Sequence, residues 1–387
     1  GFFSDPSRFH NYGDVSNWSG SEQVLGAIFG LNDIKTEDAS VQAELVNAYT
    51  QLIADTDCDG YRVDTVKHVE GGFWDAWCPG IHQWAAVQGK GDFLMFGEVF
   101  DGDGVAGPFT GTMGSATYRF DSMLWYGMYY ATNNVWAGGG APQDIVNTYD
   151  NLTVFDPTVR ERLVTFLDNH DNSRFQGAGL ANQDQSRARA ALAWLLTSNS
   201  IPCLYYGTEQ EFDGGGDPWC REDMWDGQYN FGPSLGHNFK ESHTLFRWTR
   251  ALITARKRHE ALRRGSITHL YTQAGAPGLY AIRRESGSDS VVVAINSSNA
   301  PLTRTLATSW PPGTVLGDAV EPALLDTVGA GDAFAAGLIS ARLEGHDWPA
   351  ALARANWVGA RAIQVVGDMD GLPRRAELPA DLGGPRA

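Results

Sequence analysis

Between residues 38 and 262, short apolar stretches alternate with longer helix-patterned segments, and this alternation is the strongest constraint on the fold. The strand candidates are Tyr61–Val66, Phe93–Val99, Ala116–Phe120, Leu163–Leu167 and Ile201–Tyr206. Helical patterns cover 38–56, 73–87, 122–136, 183–198 and 243–262, the first with Asp38 or Ser40 as its cap. Strands separated by helices are joined by crossover connections, so they form a parallel sheet.

Each strand candidate runs straight into a polar segment. That is the pattern of a (β/α) barrel, in which functional groups collect at the C-terminal ends of the strands. The flanks differ in character. Residues 1–36 are rich in Gly, Ser, Asn and Asp and read as an irregular lobe. Residues 265–318 hold the apolar stretches Leu279–Arg283 and Val291–Ile295 between Gly/Ser turns, the pattern of a small antiparallel β domain. Ala-rich helical patterns follow at 331–343 and 349–364.

The net charge is −17, which argues against nucleic acid or an anionic membrane as partner; a neutral polymer is not repelled by it. No apolar run approaches the ~18 residues of a transmembrane helix. Cys58, Cys78, Cys203 and Cys220 have neither CxxC nor zinc spacing. They read as buried free thiols, with one or two disulfides the alternative in a secreted protein.

Three of the strand ends carry carboxylates. In Gly60-Tyr-Arg-Val-Asp-Thr-Val-Lys-His68, the two-residue repeat of a strand puts Arg62 and Asp64 on one face. A guanidinium beside a carboxylate keeps it ionised and able to attack carbon. Lys67 and His68 follow on the loop, within reach of sugar hydroxyls. In Phe93-Leu-Met-Phe-Gly-Glu-Val99, Glu98 ends an apolar strand, where desolvation raises a carboxyl pKa and suits it to give and later take a proton. In Leu163-Val-Thr-Phe-Leu-Asp-Asn-His-Asp-Asn172, Asp171 offers a charge that stabilises an oxocarbenium-like transition state, and His170 a donor to a sugar hydroxyl. Singly, each has a structural reading: an Arg–Asp pair, a solvated strand-end Glu, a polar turn.

Taken in order, these motifs resemble the fourth-, fifth- and seventh-strand motifs of the α-amylase family (glycoside hydrolase family 13). Leu31-Asn-Asp-Ile-Lys35 is similar to the family motif near the end of lobe B, and Ile201–Glu209 resembles the eighth strand. The resemblance spans about residues 1–318. It implies a TIM barrel with an irregular lobe B (1–36), barrel residues 37–264 and a small antiparallel domain C (265–318). It also implies a secreted bacterial enzyme that cleaves α-1,4-glucosidic bonds in starch or malto-oligosaccharides with retention. Asp64 would be the nucleophile, Glu98 the acid/base and Asp171 the third carboxylate. Arg62 would hold Asp64 ionised, and Lys67, His68 and His170 would bind the sugar. A structural calcium (Ca2+) is implied too, with Asp33 and the backbone carbonyl of His68 as the matching ligands; two oxygens fall short of the roughly 6–8 that calcium takes.

The sequence departs from the family pattern at both ends. It opens within lobe B, at Phe9-His-Asn-Tyr12, so only strands four to eight are assigned. Five strands leave an open edge, from which self-association into a homo-oligomer is expected. The incomplete sugar subsite makes weakened turnover, or glucan binding without turnover, the alternative function. At the other end, Leu325-Asp-Thr-Val-Gly-Ala-Gly-Asp-Ala-Phe-Ala-Ala-Gly337 resembles the signature of ribokinase-like (PfkB) sugar kinases, and residues 319–387 are similar to the C-terminus of 2-keto-3-deoxygluconate kinases. There Asp332 would match the catalytic base and Gly329–Gly331 the anion hole. With the rest of such a kinase missing, this segment is expected to be a kinase remnant whose two helices serve as cover.

Overall fold

The computed structural model describes residues 1–225, 237–308, 310–311, 313–320, 330–362 and 372–382. Residues 1–36 are irregular apart from short turns and the one-turn helix α1 (Glu22–Leu25). An antiparallel bridge between Phe9 and Ile34 closes this lobe, and the His10 amide donates to the Asp33 carbonyl at 3.0 Å.

The alternating region then begins. Helix α2 (Ala39–Thr56) is capped by Asp38, whose carboxylate accepts from the Ser40 amide at 2.7 Å, and stops where Asp57 turns left-handed at φ 55°. Strand β1 (Gly60–Val63), helix α3 (Gly71–Val87), strand β2 (Leu94–Gly97), helix α4 (Asp103–Ala106), strand β3 (Ser122–Met123), helix α5 (Tyr126–Trp136) and helix α6 (Gln143–Asp150) follow. Strand β4 (Val164–Thr165), helix α7 (Gln185–Thr197), strand β5 (Ile201–Pro202), helix α8 (Thr244–Arg258) and helix α9 (Glu260–Arg264) complete the region.

The strands pair in parallel as β1-β2-β3 and β4-β5, and a parallel bridge from Leu124 to Val164 joins the two groups into one arc. Its outer side is covered by Trp74, Trp77 and Ile81 of α3 and by Trp194 and Leu195 of α7, all fully buried with Met95, Met123 and Leu163. Burial of each such side chain contributes roughly 1.5–3 kcal/mol.

Two expected elements move. The third strand, expected over Ala116–Phe120, forms at Ser122–Met123. Arg119 is drawn away to Asp75 at 2.7 Å, and pairing with β2 begins at Asp121, whose amide donates to the Met95 carbonyl at 2.9 Å. The 243–262 helix breaks at His259, because Asp289 takes both the His259 ring (2.9 Å) and the Ala261 amide (3.0 Å), starting α9 afresh.

Strands β6 (Ser266–Thr272), β7 (Leu279–Ser286) and β8 (Asp289–Asn296) form the antiparallel sheet; β6 carries no signal noted in the sequence. Tyr280 and Ile282 from β7 reach the main core. Helices α10 (Ala330–Leu343) and α11 (Trp348–Ala362) pack on each other as a hairpin. Their buried cluster of Ala333, Val358 and Ala362, with Leu372 and Leu378 packed against it, is separate from the main core. All four cysteines are free; Cys203 is exposed.

Candidate active site

The register of β1 on β2 builds the site. Val63 pairs with Gly97, so Asp64 and Glu98 leave adjacent strands side by side. Two further bonds lock them: the Glu98 amide donates to the Val63 carbonyl at 2.7 Å, and the Val66 amide to the Glu98 carbonyl at 3.1 Å. Gly97 permits this approach, since a Cβ there would stand 2.7 Å from the Met123 sulfur and 2.8 Å from Val66 Cγ2.

Glu98 is 6% exposed, whereas the Asp64 side chain is 63% exposed. Burial and a hydrogen bond shared with Asp64 push the Glu98 carboxyl up to about 7, against the opposing pull of Arg62 and Tyr126. Burial works the other way on Asp64 from the forces that win there. The shared hydrogen bond and the Arg62 charge outweigh it and hold Asp64 below its ordinary value. Arg62 serves both groups, contacting Glu98 Oε2 directly and Asp64 Oδ2 at 3.5 Å. One guanidinium thus bridges the two carboxyls and holds them side by side.

Asp171 is carried by the loop after β4. Asn169 shapes the turn, its side-chain oxygen accepting the Asp171 and Asn172 amides at 2.9 Å each. Asp168, buried at the root of this loop, accepts from the Phe175 amide and the Thr208 hydroxyl, both at 3.0 Å. His170 Nε2 stands 3.2 Å from Asp171 Oδ2. The Asn169 amide donates to the Tyr126 hydroxyl at 3.2 Å and that hydroxyl to Glu98 Oε1 at 2.9 Å, so this loop meets the carboxyl pair.

The remaining expected residues frame that place. Lys67 is held by Asp101 at 2.9 Å and by the Phe100 carbonyl at 3.0 Å. His68 Nδ1 bonds the Gln23 carbonyl at 3.0 Å, and Trp18 stands edge-on to its ring at 5.6 Å. Burial lowers the His68 pKa.

Three side chains beyond the expected ones complete the constellation. The Tyr126 hydroxyl donates to Glu98 Oε1 at 2.9 Å, the Asn169 amide supports that hydroxyl at 3.2 Å, and Arg221 Nη2 meets Asp171 Oδ1 at 3.2 Å. Asn169 lies inside the recognised motif, but only its position against Tyr126 reveals this task.

The implied calcium finds a poor donor set. Asp33 Oδ2 lies 2.5 Å from His10 Nδ1, and the other ring nitrogen of His10 is 3.0 Å from Glu37. An imidazole at the centre of carboxylates does not suit a hard cation that takes roughly 6–8 oxygens. Asp33 is tied to His10 through Oδ2, and together with the His68 carbonyl it offers calcium far fewer than the roughly 6–8 oxygens that ion takes. In the tail, Asp332 is exposed in the first turn of α10, and Gly329 lies outside the described residues.

An arc of parallel strands joined by helices, with carboxyls at the strand C-terminal ends, defines a protein of the β/α-barrel class. The chain belongs to the alpha-amylase family: the model of the alpha-amylase catalytic domain matches residues 4–265. The pfkB family carbohydrate kinase model matches residues 318–375. An alpha-amylase of Streptomyces lividans is 33% identical over 324 residues, covering 78% of this chain and 34% of the relative. A cyclomaltodextrin glucanotransferase of Niallia circulans is 29% identical over 318 residues, covering 81% of this chain and 40% of the relative. The chain thus spans little more than a third of the length of these relatives. Among solved structures, an Anoxybacillus alpha-amylase superposes with a TM-score of 0.64 at 29% identity, over 77% of this chain and 61% of that one. The alpha-amylase of Geobacillus thermoleovorans complexed with acarbose gives 0.64 at 27% identity, over 77% and 62%.

Proposed function

We propose that the chain hydrolyses α-1,4-glucosidic bonds in starch or malto-oligosaccharides with retention of configuration. The observation that carries this reading is the adjacency of two carboxyls with opposite pKa shifts, Asp64 lowered and Glu98 raised to about 7. One carboxyl is then charged and the other protonated near neutral pH, the division of labour that retaining glycosidases need.

In the first step Glu98 gives its proton to the glycosidic oxygen while Asp64 Oδ attacks the anomeric carbon. The C–O bond to the leaving sugar breaks and an ester to Asp64 forms. In the second, the Glu98 carboxylate takes a proton from water, whose oxygen displaces Asp64 and restores both groups. Asp171 stabilises the positive charge that builds on the ring in both steps. Arg62 keeps Asp64 ionised, and His170, Lys67 and His68 bind sugar hydroxyls around the cleaved bond. Solved relatives of similar fold, one of them holding acarbose, support the substrate class.

The test is Asp64→Asn. Release of reducing sugar from starch should fall by at least roughly a thousandfold; release at the parent rate would end the assignment.

A further inference from the structure

A cluster in the irregular lobe lies apart from the carboxyl pair. His10 is nine-tenths covered, and both of its ring nitrogens face carboxylates. Nδ1 meets Asp33 Oδ2 at 2.5 Å, and Nε2 meets Glu37 Oε1 at 3.0 Å and Glu70 Oε1 at 3.7 Å. Even a doubly protonated imidazole has two protons to give, one for Asp33 and one for Glu37. Glu70 Oε1 is left fully covered and without a hydrogen-bond partner. Among the described residues, Asp33, Glu37 and Glu70 form ion pairs with His10 alone and with no lysine or arginine. The charge of three carboxylates around one imidazole is therefore not compensated by lysine or arginine among the described residues, and one covered carboxylate oxygen stands 3.7 Å from the imidazole with no hydrogen bond.

We propose that His10 Nε2, Glu37 and Glu70 bind a divalent cation of the zinc class, with Asp33 fixing the imidazole from behind. These ligand atoms all lie within 4.8 Å of one another. Atoms on a tetrahedron with the ~2.0–2.1 Å bonds of zinc stand about 3.3 Å apart, and the His10 separations of 3.0 and 3.7 Å bracket that value. A ligating histidine almost always donates its other ring N–H to a carboxylate, which sets the tautomer and orientation; Asp33 stands in that position. One nitrogen and two carboxylates suit zinc and its neighbours rather than calcium. Glu37 is the exposed member, leaving the fourth position open to water.

The ligands come from three places. His10 is tied beside Asp33 by the lobe's own backbone pairing, Glu37 precedes α2, and Glu70 sits at the N-terminus of α3 with Oε2 held by the Thr36 hydroxyl. A bound cation clasps the lobe to the starts of both helices.

The experiment is calorimetric titration of the EDTA-stripped full chain with Zn2+, paired with Co2+ titration followed by visible absorption. One ion per chain should bind at this site, with a Co2+ d–d spectrum. Glu37→Gln changes a half-exposed side chain and should leave the circular dichroism unaltered, yet weaken zinc by at least about tenfold; Asp33→Asn should cost about 10–100-fold. His10→Ala should abolish the Co2+ spectrum. Zinc affinity unchanged in Glu37→Gln and His10→Ala would overturn the proposal, as would absence of binding or displacement of zinc by equimolar Ca2+.

Discussion

The Tyr126 hydroxyl donates to Glu98 Oε1 at 2.9 Å, on the oxygen that Arg62, bound to Oε2, leaves free. Both oxygens of the acid/base candidate are therefore held, beside the Asp64 carboxyl on the neighbouring strand. Tyr126 lowers the Glu98 pKa, because its hydrogen bond favours the charged form. The alkaline limb of kcat/KM on maltoheptaose should lie near about 7, where Glu98 loses its proton. In Tyr126→Phe the limb should move to higher pH. An unmoved limb, or one shifted downward, would remove Glu98 from the acid role. The acid limb should lie below the ordinary aspartate value, since Asp64 is held ionised.

Glu98→Gln separates the proton-transfer role from binding. Starch hydrolysis should fall roughly 10²–10⁴-fold, while an aryl glycoside with a good leaving group should lose less in its first step. Equal losses on both substrates would contradict the assignment. Stability carries a second signature. A carboxyl whose folded pKa is raised stabilises the fold fully below its unfolded pKa, and that contribution disappears as pH rises through the folded value. Wild type should therefore lose stability relative to Glu98→Gln as pH rises from about 4.5 through about 7, followed by urea titrations across that range.

The strand-end carboxylates were legible because the β-strand repeat fixes local direction: Asp64 and Glu98 sit one residue past a paired register, and a sequence pattern carries that much. Tyr126 and Arg221 were not legible. Tyr126 is one aromatic among many in a helix pattern, and its meaning lies in α5 starting beside β2. Arg221 lies 50 residues beyond Asp171, joined to it only through the fold. The third strand was misplaced for a similar reason: Ala116–Phe120 has strand-like residues, but Asp75 captures Arg119 from another helix. The calcium reading missed His10, whose contacts depend on the lobe folding back on itself at Phe9 and Ile34.

Arg174 and Glu222 form an ion pair at 2.9 Å with both side chains fully buried. The guanidinium also stands 4.0 Å from the Tyr205 ring centre. Glu222→Ala leaves that charge unpaired in the core and should destabilise the fold by about 3–5 kcal/mol. Because Arg221 is its neighbour and holds the His170 carbonyl and Asp171, the loss should also raise KM. The double variant Arg174→Met/Glu222→Leu should regain much of the stability in urea unfolding. A single variant as stable as wild type would show that the pair does not matter to the fold.

Arg284 ties the antiparallel sheet to the barrel. Wholly buried, it donates to the carbonyls of Thr197 (2.6 Å), Gly265 (2.8 Å) and Ser266 (3.2 Å). Arg284→Met keeps the stem but strands these acceptors, at about 1–3 kcal/mol for each one left unsatisfied. The thermal midpoint should drop by several degrees, and the sheet should become the first segment to exchange its amide protons. Unaltered exchange in β7 would mean that packing by Tyr280 and Ile282 suffices.

The α10–α11 hairpin supplies the sharpest test of how the tail relates to the rest. Val358 is buried against Ala333 and Ala362, in a cluster separate from the one that holds the carboxyl-bearing strands. Val358→Asp puts a charge into that small core and should melt the hairpin, at a cost of several kcal/mol that a two-helix unit cannot sustain. If the two cores are energetically independent, limited proteolysis will cut within 330–362 while the main thermal transition and the rate on starch stay at parent values. A matched fall in both would mean that the hairpin supports the strand arc, and the open edge beside β1 would be the place to look for the contact.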